Sequence, residues 1–147
     1  MIREILDGDF NSKSVLDMGA GTAILAILAS MRGADPITAI DIDKWAYDNA
    51  IENLALNNIE NVKVEIGGAE LLGKETFDIV LANINRNILL NDIPAYTSVL
   101  NNGGYLYMSG FYVEDIPAIT KACNDNGLTF CRNTEKDNWT AVKFLKA

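Results

Sequence analysis

The residues of this chain whose types and spacing suit chemistry are Asp17, the turn Gly19-Ala20-Gly21, Asp41 and Asn83. Asp17 closes a strand-like run containing Val15 and Leu16, and two glycines follow one residue apart before an apolar helical pattern begins. Such a turn offers backbone N–H groups at the positive end of a helix dipole, and glycine admits a ligand without a Cβ in the way. Asp41 closes a second apolar run, Ile37-Thr38-Ala39-Ile40, at the strand end where an acid suits a ribose diol. A glycine turn alone also occurs for purely structural reasons. With both acids in place the pattern calls for an adenosine-containing ligand.

The acids also choose among such ligands. A dinucleotide turn needs a small residue three positions after its second glycine, and Ile24 stands there. It also carries no acid before its first glycine, where a carboxylate repels pyrophosphate. Asp17 occupies that place and faces a cation comfortably. S-adenosylmethionine, with an ammonium, a sulfonium and no phosphate, fits ahead of nicotinamide or flavin dinucleotides.

Bulk composition narrows the rest. A chain of 147 residues, 49% apolar with three prolines, is expected to form one domain with an ordinary core. The formal charge of −8 argues against direct nucleic-acid binding. There is no histidine, which excludes a Ser-His-Asp triad, a Cys-His pair and histidine-ligated zinc, and no metal is called for. Cys123 and Cys131 read as reduced thiols of a cytoplasmic protein. No apolar run approaches the roughly 20 residues that span a bilayer, and the amino terminus is not a signal peptide. Oligomeric state is not encoded in any of these features.

The elements that must position these residues alternate. Strands are predicted over 14–18, 37–41, 62–66, 77–82 and 105–109, with Asn101-Asn102-Gly103-Gly104 as a turn and Gly110 as a stop. Helices are predicted over 22–31, apolar nearly all round and therefore buried, and over 44–57, with Asp43 as its cap and Trp45, Ala46, Ala50 and Leu54 inward. Further helices cover 87–100, interrupted by Pro94, and 115–126. Two last strands, 128–132 and 139–145, flank a polar turn and must pair antiparallel. The fold class is α/β: a mostly parallel seven-stranded sheet with helices on both faces and a C-terminal antiparallel hairpin. Residues 1–6 read as the cut end of a longer helix.

Taken together, these residues resemble the Rossmann-like class I methyltransferases that use S-adenosylmethionine. Several segments more narrowly resemble the catalytic domain of the bacterial ribosomal protein L-eleven methyltransferases. They are the run Val15 to Ala26, Ala39-Ile40-Asp41-Ile42-Asp43, Glu52-Asn53 with Asn57, Val80-Leu81-Ala82-Asn83-Ile84, Gly103 to Gly110, and Trp139. The resemblance implies that Asp17, Gly19, Ala20 and Gly21 hold the methionine part of the donor and Asp41 its ribose. Ile42 would pack on the adenine, Gly68 and Ala69 would pass beside it, and Asn83 would stand at the methyl-transfer point, touching the donor as well as the acceptor. It also implies a ribosomal protein substrate and S-adenosylhomocysteine as product. Three departures from the family pattern stand out. Ala23 replaces the third small residue of the turn. Gly68 stands where many methyltransferases place an acid for the adenine amino group, with Glu70 two residues late. The family's amino-terminal substrate-recruiting domain and a Gly-Thr-Gly-His-His-like loop have no counterpart, so the chain is expected to be a fragment that binds donor weakly and methylates little alone.

The implied chemistry is attack by an amine lone pair on a sulfonium methyl. A lysine amine, of reference pKa about 10.4, must first lose a proton. Desolvation favours that loss, and Asn83 offers a carbonyl oxygen that orients the amine. The other reading of Asn83 is a cap of the following helix. Ser109 reads equally as packing or as a substrate contact. Alternatives remain a methyltransferase for a small molecule or a glutamine amide, a donor-binding module without catalysis, and a nicotinamide dehydrogenase. Asn83-Ile84-Asn85-Arg86 lacks the prolines and aromatic that amide methyltransferases prefer after such an asparagine.

Overall fold

The computed structural model describes residues 1–147. Its frame is a seven-stranded sheet in the order β3-β2-β1-β4-β5-β7-β6. The strands are β1 Val15–Met18, β2 Ile37–Asp41, β3 Val62–Ile66, β4 Phe77–Asn83, β5 Leu100–Tyr112, β6 Leu128–Lys136 and β7 Trp139–Lys146. All neighbours pair parallel except β7, which runs antiparallel to both β5 and β6. The helices are α1 Ile2–Asp7, α2 Ile24–Met31, α3 Lys44–Leu56, α4 Arg86–Val99 and α5 Ile116–Asp125.

The central strands are buried along their length, β1 at every position, as parallel strands covered on both faces must be. Alternate residues then feed two separate cores. Leu16, Val80, Leu106 and Val142 pack with Leu89, Ile93, Ile119 and Cys123 of α4 and α5. Val15, Ile37, Ile79 and Tyr107 pack with Ile5, Ala26, Ala50 and Leu54 of α1, α2 and α3. At the amino end of the sheet Ser14 and Asp78 latch β1 to β4. Asp78 accepts from the Ser14 backbone N–H (3.0 Å) and hydroxyl (3.1 Å), and the Asp78 N–H lies 2.9 Å from the Ser14 hydroxyl oxygen.

The architecture and the antiparallel hairpin agree with the sequence reading, while several local details differ. The helix expected from residue 22 begins at Ile24, because Ala23 takes a left-handed conformation (φ 66°) that closes the glycine turn first. That helix is not buried all round: Ile24 and Met31 are exposed. Trp45, expected inward on α3, is 68% exposed, and the inner face is Ala46, Ala50 and Leu54. Residues 101–104 do not form a separate turn. β5 already starts at Leu100, opposite Phe77, and the register shifts before Tyr105 pairs with Ile79. Gly110 does not end β5 either, since the strand passes through it with a second register shift and continues to Tyr112. The last hairpin is longer than expected, because Asp137 and Asn138, both at positive φ, turn the chain within two residues.

Candidate functional site

The predicted residues gather at the carboxyl ends of β1, β2 and β4, where open α/β sheets bind ligands. Asp17 lies opposite Ala39 and Leu81 in the ladder. Its side chain is 1% exposed, and one carboxylate oxygen, Oδ2, accepts the Ala26 N–H at 3.1 Å. That bond satisfies a donor in the first turn of α2, which has no intrahelical partner of its own. The other oxygen, Oδ1, is buried with no hydrogen-bond partner. Burial, opposed by the Ala26 N–H and reinforced by the nearby Asp41 charge, pushes the Asp17 carboxyl up to about 7.

Asp41 reaches across from β2 to the glycine turn. Its Oδ2 accepts the Gly21 N–H and its Oδ1 the Asp43 N–H, both at 2.9 Å. A carboxylate has about four acceptor sites, so lone pairs remain for a diol. Ala20 joins the same frame, donating its N–H to Ile40 O at 3.0 Å. Asn53 of α3 braces the turn from outside, through Nδ2 to Thr22 O at 3.0 Å. The space over Gly21 is open, with nothing within 4 Å of where a Cβ would stand.

At and beyond the carboxyl ends of β2 and β3, Ile42, Ile66 and Leu71 are exposed. Ile42 is 75% exposed, and a Cβ on Gly68 would lie 3.6 Å from its Cγ2. Ala69 opens a single turn of 3-10 helix over Ala69–Leu71. Glu70, two residues after Gly68, folds back so that its Oε1 accepts the Gly68 N–H at 2.8 Å. That bond holds its carboxyl below the ordinary carboxylate value. An acid thus returns to the place that Gly68 leaves without one.

Asn83 is the last residue of β4, exposed and paired with Ser109 of β5. The cap of α4 is not Asn83 but Asn85, whose side chain accepts the Ile88 N–H at 3.1 Å. Asn83 Oδ1 instead accepts the Ser109 hydroxyl at 3.0 Å. Ile84 fills the gap between this strand end and the glycine turn. A Cβ on Gly19, which sits at φ +65°, would lie 2.6 Å from Ile84 Cγ1. Two rungs beyond Ser109, the rings of Tyr112 and Trp139 pack at a 35° tilt with centroids 4.3 Å apart, and both are exposed. Arg86 leans the other way, 3.3 Å from Asp115. The packing of Ile84 on Gly19, the Glu70 fold-back and the bond from Ser109 to Asn83 are absent from the sequence reading, since each depends on register or loop closure. A cavity of about 470 Å³ lies elsewhere, between Lys13, Asp78, Asn102, Tyr105 and Lys143 at the amino end of the sheet, and Asp17, Gly19, Gly21 and Asp41 do not line it.

Sheet order, terminal hairpin and acid–glycine turn define a class I, Rossmann-like methyltransferase domain, and solved structures share it. The ribosomal protein L11 methylase from Lactobacillus delbrueckii subsp. bulgaricus superposes with a TM-score of 0.93 at 30% identity, over 99% of this chain and 76% of that one. A methyltransferase from Pyrococcus furiosus has the same fold at 18% identity (TM-score 0.86, 97% of this chain and 79% of that one). A family model described as Ribosomal protein L11 methyltransferase (PrmA) matches residues 4–147. The ribosomal protein L11 methyltransferase of Phocaeicola vulgatus is 55% identical over 146 residues, 99% of this chain and 52% of the relative. That of Porphyromonas gingivalis is 52% identical over 145 residues, 98% of this chain and 50% of the relative. The chain belongs to the ribosomal protein L11 methyltransferase family and spans about half the length of these relatives.

That family implies S-adenosylmethionine, and the residues present fit it. Asp17 Oδ1 is a buried acceptor lacking a donor, Asp41 has lone pairs to spare, and Ile42 with Gly68 makes an apolar ledge. No helix is long and apolar enough to cross a membrane.

Proposed function

We propose that this chain binds S-adenosylmethionine and carries the methyl-transfer site of a cytoplasmic enzyme that methylates amines, lysine side chains or an amino terminus, of ribosomal protein L11. The observation that carries the reading is the unpartnered Asp17 Oδ1, two residues before the glycine turn. A buried carboxylate oxygen without a donor favours a cationic ligand group and disfavours pyrophosphate.

In this reading Asp17, Gly19, Ala20 and Gly21 hold the methionine end of the donor and Asp41 its ribose. Ile42, Gly68 and Ala69 border the adenine. When bound, S-adenosylmethionine supplies an electrophilic methyl on a sulfonium. The chain's own part is placement. Asn83 Oδ1 accepts an N–H of the neutral amine, which aims the nitrogen lone pair away from the amide. No strong base is required, because an amine taken out of water gives up its proton more readily. The exposed Tyr112–Trp139 pair, beyond Ser109 on the same strands, offers an apolar wall to the stem of a lysine.

Calorimetric titration of S-adenosylhomocysteine into this chain tests the donor half. Saturable binding that Asp41→Ala strongly weakens supports the reading, and a complete gene product containing this chain that fails to bind overturns it. Transfer of labelled methyl to purified ribosomal protein L11 by the complete gene product containing this chain tests the acceptor half.

A further inference from the structure

We propose that Ser109 is a positioning residue for the methyl acceptor, acting by holding the Asn83 amide in one orientation. The inference rests on the reading of Asn83 as the methyl-transfer point.

Asn83 stands exposed at the end of a strand, where an asparagine side chain ordinarily samples several rotamers. β5 removes that freedom through independent contacts. The hydroxyl of Ser109, a residue only 7% exposed, donates to Asn83 Oδ1 at 3.0 Å. The Ser109 carbonyl accepts the Ile84 N–H at 3.1 Å, so the backbone just beyond Asn83 is fixed by the same residue. The next residue, Gly110, makes this approach possible. It sits at φ +100°, in the register shift between Ser109 and Phe111, and a Cβ there would lie 2.5 Å from Ile84 O and 3.1 Å from Ile84 N. Only a glycine lets β5 come close enough for the serine to reach the amide.

The chemistry of the contact fits the task. A carbonyl oxygen has two lone pairs. The serine O–H takes one and fixes the amide plane, and the other is left to accept an N–H of the incoming amine. Aligning the acceptor before substrate arrives removes an ordering cost from the reactive complex. Ser109 therefore acts on the orientation of the acceptor, not on the grip on the donor.

The test compares Ser109→Ala, Ser109→Cys and Ser109→Thr in the complete gene product, with ribosomal protein L11 as acceptor. The cysteine variant fills nearly the same space with a weak donor, which controls for packing and folding. The expected result is unchanged S-adenosylhomocysteine affinity in all three. Methyl-transfer kcat falls roughly five- to tenfold in the alanine and cysteine variants, the size of one neutral hydrogen bond, and recovers in the threonine variant. In the nuclear magnetic resonance spectrum of the chain itself, the Asn83 side-chain NH2 signals should broaden or move toward those of a free asparagine when the hydroxyl is lost. A cysteine variant with wild-type kcat and an unchanged Asn83 signal overturns the role of Ser109. An Asn83→Ala variant with wild-type kcat overturns instead the assignment of Asn83 on which it rests.

Discussion

Asp41 Oδ2 accepts the Gly21 N–H at 2.9 Å, and this bond ties the carboxyl end of β2 to the turn that leaves β1. One carboxylate thereby shapes the glycine turn and keeps lone pairs free at its mouth. Asp41→Ala removes the Gly21 and Asp43 bonds together with the acceptor proposed for the ribose diol. Charged hydrogen bonds are worth about 1.5–3 kcal/mol each, so S-adenosylhomocysteine affinity should fall on the order of 100-fold. Asp41→Asn keeps an acceptor for Gly21 and should lose less, which calorimetry on the two variants resolves.

Asp17 makes the stability of the ligand-free chain depend on pH. Its carboxyl lies at about 7 in the fold, raised by burial from an ordinary value of 3.8. The folded state therefore holds this proton more tightly than the unfolded state. The associated stability is fully present below about pH 4, drains as pH rises toward 7 and is level above that. Against Asp17→Asn, the wild-type melting temperature should fall further behind between pH 4 and pH 7. Thermal scans of the pair across that range check this. Affinity for S-adenosylhomocysteine should move oppositely, tightening from pH 6 to pH 8 as the carboxylate ionises.

Gly110 and Gly103 separate crowding from backbone strain. Both sit at positive φ, but a Cβ at Gly103 meets nothing within 4 Å, while one at Gly110 meets Ile84 O at 2.5 Å. Gly103→Ala should cost about 1 kcal/mol of conformational strain. Gly110→Ala should cost about 2–4 kcal/mol and lower the melting temperature by roughly 5–10 °C. Equal costs would mean that β5 can back away from Ile84.

Glu4 and Arg132 join α1 to β6. Arg132 donates from Nε (3.1 Å) and Nη2 (2.9 Å) to one Glu4 oxygen, with the glutamate side chain 2% exposed and the arginine 48%. Arg132→Ala strands a buried charge, whereas Glu4→Gln leaves a guanidinium that water can reach. The arginine substitution should therefore be the costlier, by about 1–2 kcal/mol in urea unfolding.

Much of this site is written in local sequence. β1, β2 and β3 lie where short apolar runs meet an acid or a glycine, and Asp43 caps α3 by accepting the Trp45 N–H at 2.8 Å. These features depend on neighbours a few residues away. β5 was illegible for the opposite reason. Asn101-Asn102-Gly103-Gly104 has the composition of a turn, but the ladder with β4 absorbs it by shifting register. Gly110 reads as a stop, yet it serves as the point where β5 presses on Ile84. Trp45 misled because apolar character alone puts a side chain inside, while the face of α3 that meets the core runs through Ala46, Ala50 and Leu54 and leaves Trp45 turned about 100° away from it. The contact between Ser109 and Asn83 spans two strands, and register of that kind is set by the whole sheet.

The order β3-β2-β1-β4-β5-β7-β6 divides the labour along the chain. Asn83 apart, the groups proposed to hold the methyl donor come from residues before β4, and those proposed to face the acceptor in this chain come from β4 onward. The seam between these halves is the β1–β4 pairing, held at its base by Ser14 and Asp78. Substitutions in the second half of the chain can therefore reshape the wall that meets the acceptor while the grip on the reagent in the first half stays as it is.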